Sequence, residues 1–299
     1  MEQHTLTGKT AIITGANSGL GLQTAKVFAR QGAQVILAVR DIEKGKAAKQ
    51  EIAEESPQAT VEVMKLDLSD LDSVRAFAEN VISRFDSLDL LINNAGVMTP
   101  PYAKTNDGFE LQFGSNHLGH FALTGLLLPL LLHTEDSRVV TLSSLAHRKA
   151  SIDFDNLDGS KGYKGMKFYG QSKLANLMFA TELDKRLKQH GLSTLSLACH
   201  PGISATNLFK IGNREMPRIF RGLMNRYLQP AEMGALPTVY AATDPGIKGG
   251  EYIGPDGKGQ RRGYPVLEKP DPAVNDEGIR TKLWEVSEKL SGVTFDFTK

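Results

Sequence analysis

The chain is short of several things that would each announce a class of function. It has one cysteine, Cys199, so an internal disulfide is excluded, and the surrounding run Leu195-Ser-Leu-Ala-Cys199 predicts a buried strand thiol. It has no excess of one charge: 35 Lys and Arg stand against 34 Asp and Glu, and a net charge of +1 calls for neither nucleic acid nor an anionic membrane. A long hydrophobic run is also missing. The most apolar stretch, Phe121 to Leu132, is broken by Thr124, Gly125 and Pro129 and falls short of the ~20 residues that span a bilayer. It predicts a buried or subunit-facing helix, with no transmembrane segment. No charged-then-apolar leader precedes the first strand-like segment, so no signal peptide is expected and a reducing, cytoplasmic setting fits. His117 and His120 have no acidic or third histidine partner at the spacing of a zinc helix, and no metal site is expected.

What is present is the balance of a soluble globular protein, 40% hydrophobic and 23% charged over 299 residues. With no repeat and no low-complexity linker, one α/β domain is the simplest account. Its first half is the more legible. Thr10-Ala-Ile-Ile-Thr14 reads as a buried strand, followed by Gly15-Ala-Asn17-Ser18-Gly19-Leu20-Gly21 and a helix from about Leu22 to Gln31. In that context glycines let the backbone approach a pyrophosphate, while the helix start offers unpaired N–H groups and the positive end of its dipole. The next strand, Gln34 to Val39, ends at Arg40. An arginine there can pair with a 2′-phosphate, which favours NADP(H), although Asp41 either caps the following helix or reaches the ribose as in NAD(H) enzymes. Further strand ends carry Asp67-Leu68 and Asn93-Asn94-Ala95-Gly96, where small residues would let a nucleoside lie against the sheet edge.

The second half carries the candidate chemistry. Asn116 opens the Leu-rich segment, and the strand Arg138 to Leu142 delivers Ser143 and Ser144 at its carboxyl end. After a polar loop, Ala150 to Lys167, come Tyr169 and Lys173 at the head of an apolar-periodic helix. Positions i and i+4 share a helix face, and a nearby cation favours phenolate, so Lys173 is expected to lower the Tyr169 pKa toward a useful range. A sixth strand, Ser193 to Cys199, runs into His200-Pro201-Gly202-Ile203. The segment 207–228 mixes arginines with large apolar residues and reads as a lid over an apolar substrate or as a basic membrane-facing helix. A helix near Ala231 to Ala242, a strand around Glu251 to Ile253, a glycine-rich loop with Lys258, Arg261 and Arg262, and a helix through Ile279 to Leu290 complete the chain.

The set Thr14-Gly15-Ala-Asn-Ser-Gly19-Leu-Gly21, Asp67-Leu68, Asn93-Asn94-Ala95-Gly96, Ser144, Tyr169, Lys173 and Pro201-Gly202 resembles the short-chain dehydrogenase/reductase family, in its order and over nearly the whole chain. Val39-Arg40-Asp41, Ser143-Ser144-Leu-Ala-His147, Ser172-Lys173-Leu-Ala-Asn176 and Tyr252-Ile-Gly-Pro-Asp-Gly257 are similar to its retinol dehydrogenase and WW-domain oxidoreductase branch. The resemblance implies a Rossmann-type doubly wound sheet of about seven parallel strands, order 3-2-1-4-5-6-7, with helices on both faces. The cofactor half would be 9–143 and the substrate and lid half 144–299. It implies Tyr169 as general acid and base, Ser144 on the substrate oxygen, Lys173 on the nicotinamide-side ribose and Asn116 holding a water beside Lys173. Gly15, Asn17, Ser18, Gly19, Leu20 and Gly21 would hold the pyrophosphate, Arg40 the 2′-phosphate, Asp67 and Leu68 the adenine, and Asn94, Ala95 and Gly96 the nucleoside. Pro201, Gly202, Ile203 and Thr206 would seat the nicotinamide. Interconversion of a carbonyl and an alcohol on a small, fairly apolar substrate is the implied reaction. A carbon–carbon double-bond reductase and a non-catalytic NADP(H) sensor are the alternatives. A homodimer or homotetramer through the Asn116–His133 and Tyr169 helices is the implied assembly.

Overall fold

The computed structural model of the chain describes residues 5–204 and 229–298, so Thr206 and the 207–228 segment lie outside the described residues. Strand β1 (Thr10–Thr14) is buried at every position, as a strand covered on both faces must be. Its alternation divides the core. Ile13 packs with Val35, Leu37 and Phe28 on one face, and Ile12 with Ile36, Leu91 and Phe77 on the other. Helix α1 (Gly19–Arg30) follows β1, then β2 (Gln34–Val39), α2 (Ile42–Glu55), β3 (Thr60–Lys65), α3 (Leu71–Ile82) and β4 (Leu90–Asn93). The short α4 (Leu111–Phe113) passes through a π-helical turn, Gly114–Leu118, into α5 (Gly119–Leu132) and then β5 (Arg138–Leu142). Next come α6 (Gly165–Gln189), β6 (Leu195–Cys199), α7 (Ala231–Thr243), β7 (Tyr252–Pro255), β8 (Pro265–Glu268) and α8 (Glu277–Ser291).

The sheet has eight strands in the order β3-β2-β1-β4-β5-β6-β7-β8, so the predicted order holds and one strand is added at its end. The addition is antiparallel: Ile253 pairs with Leu267 and Gly254 with Val266, across a hairpin in what the sequence presents only as a glycine-rich loop. Pro265-Val-Leu-Glu is too short to declare a period, and its two central residues are exposed. Its strand character comes from the partner beside it.

Two further differences bear on the site. Helix α6 begins at Gly165, so Tyr169 sits a turn inside it rather than at its head, and the preceding loop ends at Lys164. The polar linker is therefore shorter and the tyrosine more firmly held. Helix α5 is buried almost all round, with only Leu126 and Pro129 reaching partial or full exposure. The chain's own C-terminal segment supplies much of that cover. Phe121 and Phe295 have ring centroids 4.8 Å apart, and Phe121 and Trp284 5.1 Å. Phe179 of α6 stacks on Trp284 at 5.9 Å. One side of each helix expected to meet a second subunit is thus packed by α8 and the tail. Cys199 is fully buried as expected, and burial pushes its thiol pKa up to about 12.

Candidate active site

In a parallel sheet the strand carboxyl ends and the helix amino ends lie on one edge. Along that edge, from β3 across to β6, runs a cavity of about 1170 Å³. Its wall includes Asp67 and Leu68 after β3, Arg40 after β2, and Gly15, Asn17, Ser18, Gly19, Leu20 and Gly21 after β1. Asn94, Ala95 and Gly96 follow β4, and Tyr169, Lys173 and Pro201 close the far end. Asn116, Ser144, Gly202 and Ile203 are not part of that wall, and what they do there is read from their bonds.

The glycine turn is shaped by close approach. Gly15 and Gly19 have φ values of 65° and 56°, which L side chains rarely adopt. A Cβ on Gly21 would fall 2.5 Å from Asn94 Nδ2 and 2.7 Å from the Gly15 carbonyl oxygen. Ser18 precedes α1 without capping it through its side chain, and no acidic residue occupies the first turn. The first N–H groups of α1 therefore remain available, and the helix end suits an anion. Arg40 is exposed at the cavity rim. Asp41 is committed elsewhere: its Oδ1 accepts from Lys44 N at 3.1 Å and its Oδ2 pairs with Lys44 Nζ at 3.1 Å. The bonds from Lys44 hold its carboxyl below the usual carboxylate range. Asp67 is tied locally as well, accepting from the Ser69 backbone at 3.0 Å and the Ser69 hydroxyl at 2.6 Å.

Thr14, which opens the glycine motif without a role of its own in it, joins the two ends. Its Oγ1 accepts the N–H of Asn94 at 3.0 Å and of Ala95 at 2.9 Å, while its carbonyl accepts from Asn94 Nδ2 at 2.7 Å. With both acceptor positions used, the Thr14 hydroxyl proton goes to His120 Nε2, 2.8 Å away. His120 Nδ1 then donates to the Asn116 carbonyl at 2.9 Å. Full burial keeps that imidazole neutral, with its pKa lowered to about 4, and that of His117 to about 3. His117 goes to a different partner, Ser287 Oγ at 2.8 Å. Nothing in the spacing of Thr14 and His120 marked them, because they are 106 residues apart.

Asn116 sits in the π-helical turn, which turns its side chain across to the loop after β4. Oδ1 accepts from Val97 N at 2.8 Å, and Nδ2 donates to the Val97 carbonyl and to Ser172 Oγ, each at 3.0 Å. Its amide is a clamp between that loop and α6. The two serines at the end of β5 diverge. Ser143 is buried and its hydroxyl donates to the Lys173 carbonyl at 2.8 Å. Ser144 is half-buried, its Oγ accepts from Ala146 N at 3.2 Å, and its hydroxyl is near enough to Tyr169 to favour the phenolate.

Tyr169 and Lys173 do lie on one helix face, with Nζ 6.0 Å from the phenol ring centroid. The expected lowering of the tyrosine pKa is not what this arrangement gives. Burial raises the Tyr169 pKa, and the nearby Ser144 hydroxyl offsets only part of the rise. Lys173 Nζ donates instead to the Leu142 carbonyl at 3.0 Å, and desolvation lowers its own pKa to about 8. The cation is close enough to be useful, but the low-polarity surroundings act more strongly on both groups. Apolar residues that no motif marked, Met98, Pro100, Pro101 and Met166, line the same cavity with Tyr163.

Comparison with known proteins agrees with this geometry. Residues 9–216 match the family model described as short chain dehydrogenase. Retinol dehydrogenase 11 of Mus musculus is 42% identical over 292 residues, covering 98% of this chain and 89% of that protein. Retinol dehydrogenase 13 of Homo sapiens is 40% identical over 296 residues, covering 97% and 86%. A crystal structure of an uncharacterized protein from Mycobacterium paratuberculosis superposes with a TM-score of 0.82 at 42% identity, covering 98% of this chain and 97% of that one. Among the described residues, no helix is long and apolar enough to cross a membrane. With its strand order, its glycine turn and its Tyr169 and Lys173 brought to one cavity, the chain belongs to the short-chain dehydrogenase family of oxidoreductases, in the retinol dehydrogenase-like branch.

Proposed function

We propose that the chain interconverts a carbonyl and an alcohol on an apolar substrate with NADP(H), and that Tyr169 is its general acid and base. The observation that carries this reading is the continuity of one cavity from Arg40, past the uncapped start of α1, to Tyr169 and Lys173. That wall fits a dinucleotide phosphate: a cation at one end, free N–H groups midway and a proton donor at the other. Arg40 would meet the 2′-phosphate, and Asp41, held by Lys44, is withdrawn from the ribose role that would favour NAD(H). Bound NADP(H) would supply or accept the hydride.

The protein's own groups do the rest. A Tyr169 whose pKa is raised stays protonated at neutral pH and can donate to the carbonyl oxygen as negative charge develops there. Ser144, close to the phenol, would share that oxygen and fix its position. Lys173 would hold the ribose beside Tyr169, and Asn116 would keep the loop after β4 against α6. Met98, Pro100, Pro101 and Met166 offer an apolar wall for the substrate. Relatives named for retinol make a long apolar alcohol or its aldehyde the first substrate to try.

The test is NADPH consumption by the purified chain on a panel of aldehydes, ketones and an enone, retinaldehyde included, beside Tyr169→Phe. Carbonyl reduction that falls by about a thousandfold in the variant, with NADPH affinity kept within about twofold, is the expected result. Reduction should be flat in pH near neutrality, and alcohol oxidation should climb with pH because the base is the phenolate. Saturation of the enone double bond, or binding without turnover on any substrate, would overturn the reading.

A further inference from the structure

Behind the far end of the cavity stands a buried pair, His200 and Glu268, with side chains 0% and 2% exposed. His200 follows β6, and Glu268 ends β8, the strand that the sequence did not announce. The Gly202 N–H donates to His200 Nδ1 at 3.2 Å, so Nε2 is the ring nitrogen that carries a proton, and it lies 3.1 Å from Glu268 Oε2. Gly254 makes room for the contact, since a Cβ there would come 2.1 Å from His200 Nε2 and 2.3 Å from Glu268 Oε1. The turn that the pair reaches is short and shaped: Gly202 has φ 65°. The hairpin between β7 and β8 also holds it directly, through Ile203 N to the Arg261 carbonyl at 2.7 Å. Gln229 bridges to it as well, donating to the Pro201 carbonyl at 2.6 Å and accepting from Gly263 N at 3.1 Å.

A buried carboxylate is a poor way to gain stability, because the loss of water offsets most of what its partner returns. It is an effective way to fix the tautomer and orientation of an imidazole, and through it a backbone N–H. We propose that Glu268 and His200 are positioning residues that set the Pro201–Gly202–Ile203 turn against the nicotinamide half of the cofactor. This rests on the dinucleotide reading above. Glu268 fixes the ring, the ring fixes Gly202, and the hairpin thereby governs how the reacting end is held while the adenosine end is left alone.

Two variants test it by calorimetric titration with NADPH and with adenosine 2′,5′-bisphosphate, which probes the adenosine end only. Glu268→Met keeps the volume without an acceptor, and Glu268→Gln keeps an oxygen for His200 Nε2. The methionine variant should bind NADPH about tenfold more weakly and the bisphosphate within about twofold of the parent, with the glutamine variant restoring most of the difference. His200→Leu, which removes the Nδ1 acceptor, should behave like Glu268→Met and stands in for it should that chain not fold. Equal loss of both ligands, or no loss of either, would overturn the assignment. A parent chain that binds the bisphosphate but not NADPH, or binds neither, would overturn the functional reading itself and the assignment with it.

Discussion

The two ends of the cavity are built on different principles. The adenosine and pyrophosphate side is made of chain taken in sequence order: the glycine turn and the start of α1 lie within residues 10–30, Arg40 follows β2 and Asp67 follows β3. Its contacts to anything bound would come from backbone N–H groups and from residues at strand ends. The reacting end is assembled from distant parts. Tyr169 and Lys173 come from α6, Ser144 from the end of β5, the turn at Pro201 from the end of β6, and its support from a hairpin beyond residue 250. A backbone cradle needs only glycines and a helix start. Side chains that must hold a proton in place need packing around them, and packing is non-local.

That contrast can be sharpened by breaking each end separately. After Tyr169→Phe, the largest effect should come from Ser144→Ala, which removes the hydroxyl beside Tyr169 and should lower kcat by about a hundredfold at unchanged NADPH affinity. Its neighbour is the control. Ser143→Ala, which loses a buried bond to the Lys173 carbonyl, should cost about 1 kcal/mol in urea unfolding and much less in kcat. Equal kinetic losses in the two would mean that the serines were assigned to the wrong tasks. At the other end, Arg40→Ala should reduce the ratio of kcat/KM for NADPH over NADH by about tenfold and leave kcat alone. An unchanged ratio would remove Arg40 from the adenosine end.

At neutral pH the smallest effect concerns the group that joins the ends, since it shows only in acid. His117 and His120 titrate at about 3 and about 4 in the folded chain against 6.5 when free. Between those values the unfolded chain binds protons that the native one refuses, so stability falls as pH drops through that window and is whole above it. Each histidine should steepen the acid slope by up to about 1.4 kcal/mol per pH unit. His120→Gln should flatten it in urea titrations. A slope that ignores the substitution would show that acid lability arises elsewhere.

Much of this could be read in advance, and the reasons differ by element. Strand order came from the family resemblance, whereas the strands themselves were legible because a parallel sheet buried on both faces leaves continuous apolar runs such as Thr10-Ala-Ile-Ile-Thr14. The spacing of Tyr169 and Lys173 placed them on one face wherever the helix began, so the start at Gly165 changed their support and not their relation. Strand β8 was hidden because four residues with no alternation acquire strand geometry only from a neighbour. The shift of the Tyr169 pKa was mis-signed because sequence shows the cation four residues away and says nothing about the desolvation that outweighs it.

The sequence by itself determined whatever rests on local geometry: the glycine turn, the helix that follows it, the i, i+4 pair and the alternation that splits the core. Only the tertiary structure decided that Ser143 donates to the Lys173 carbonyl, that Asp41 serves Lys44, that Phe295 and Trp284 cover α5, and that Glu268 reaches His200. Those outcomes depend on burial and on contacts between residues far apart in the chain. Their free energies exist only once the chain has closed around them, and no short-range pattern carries them.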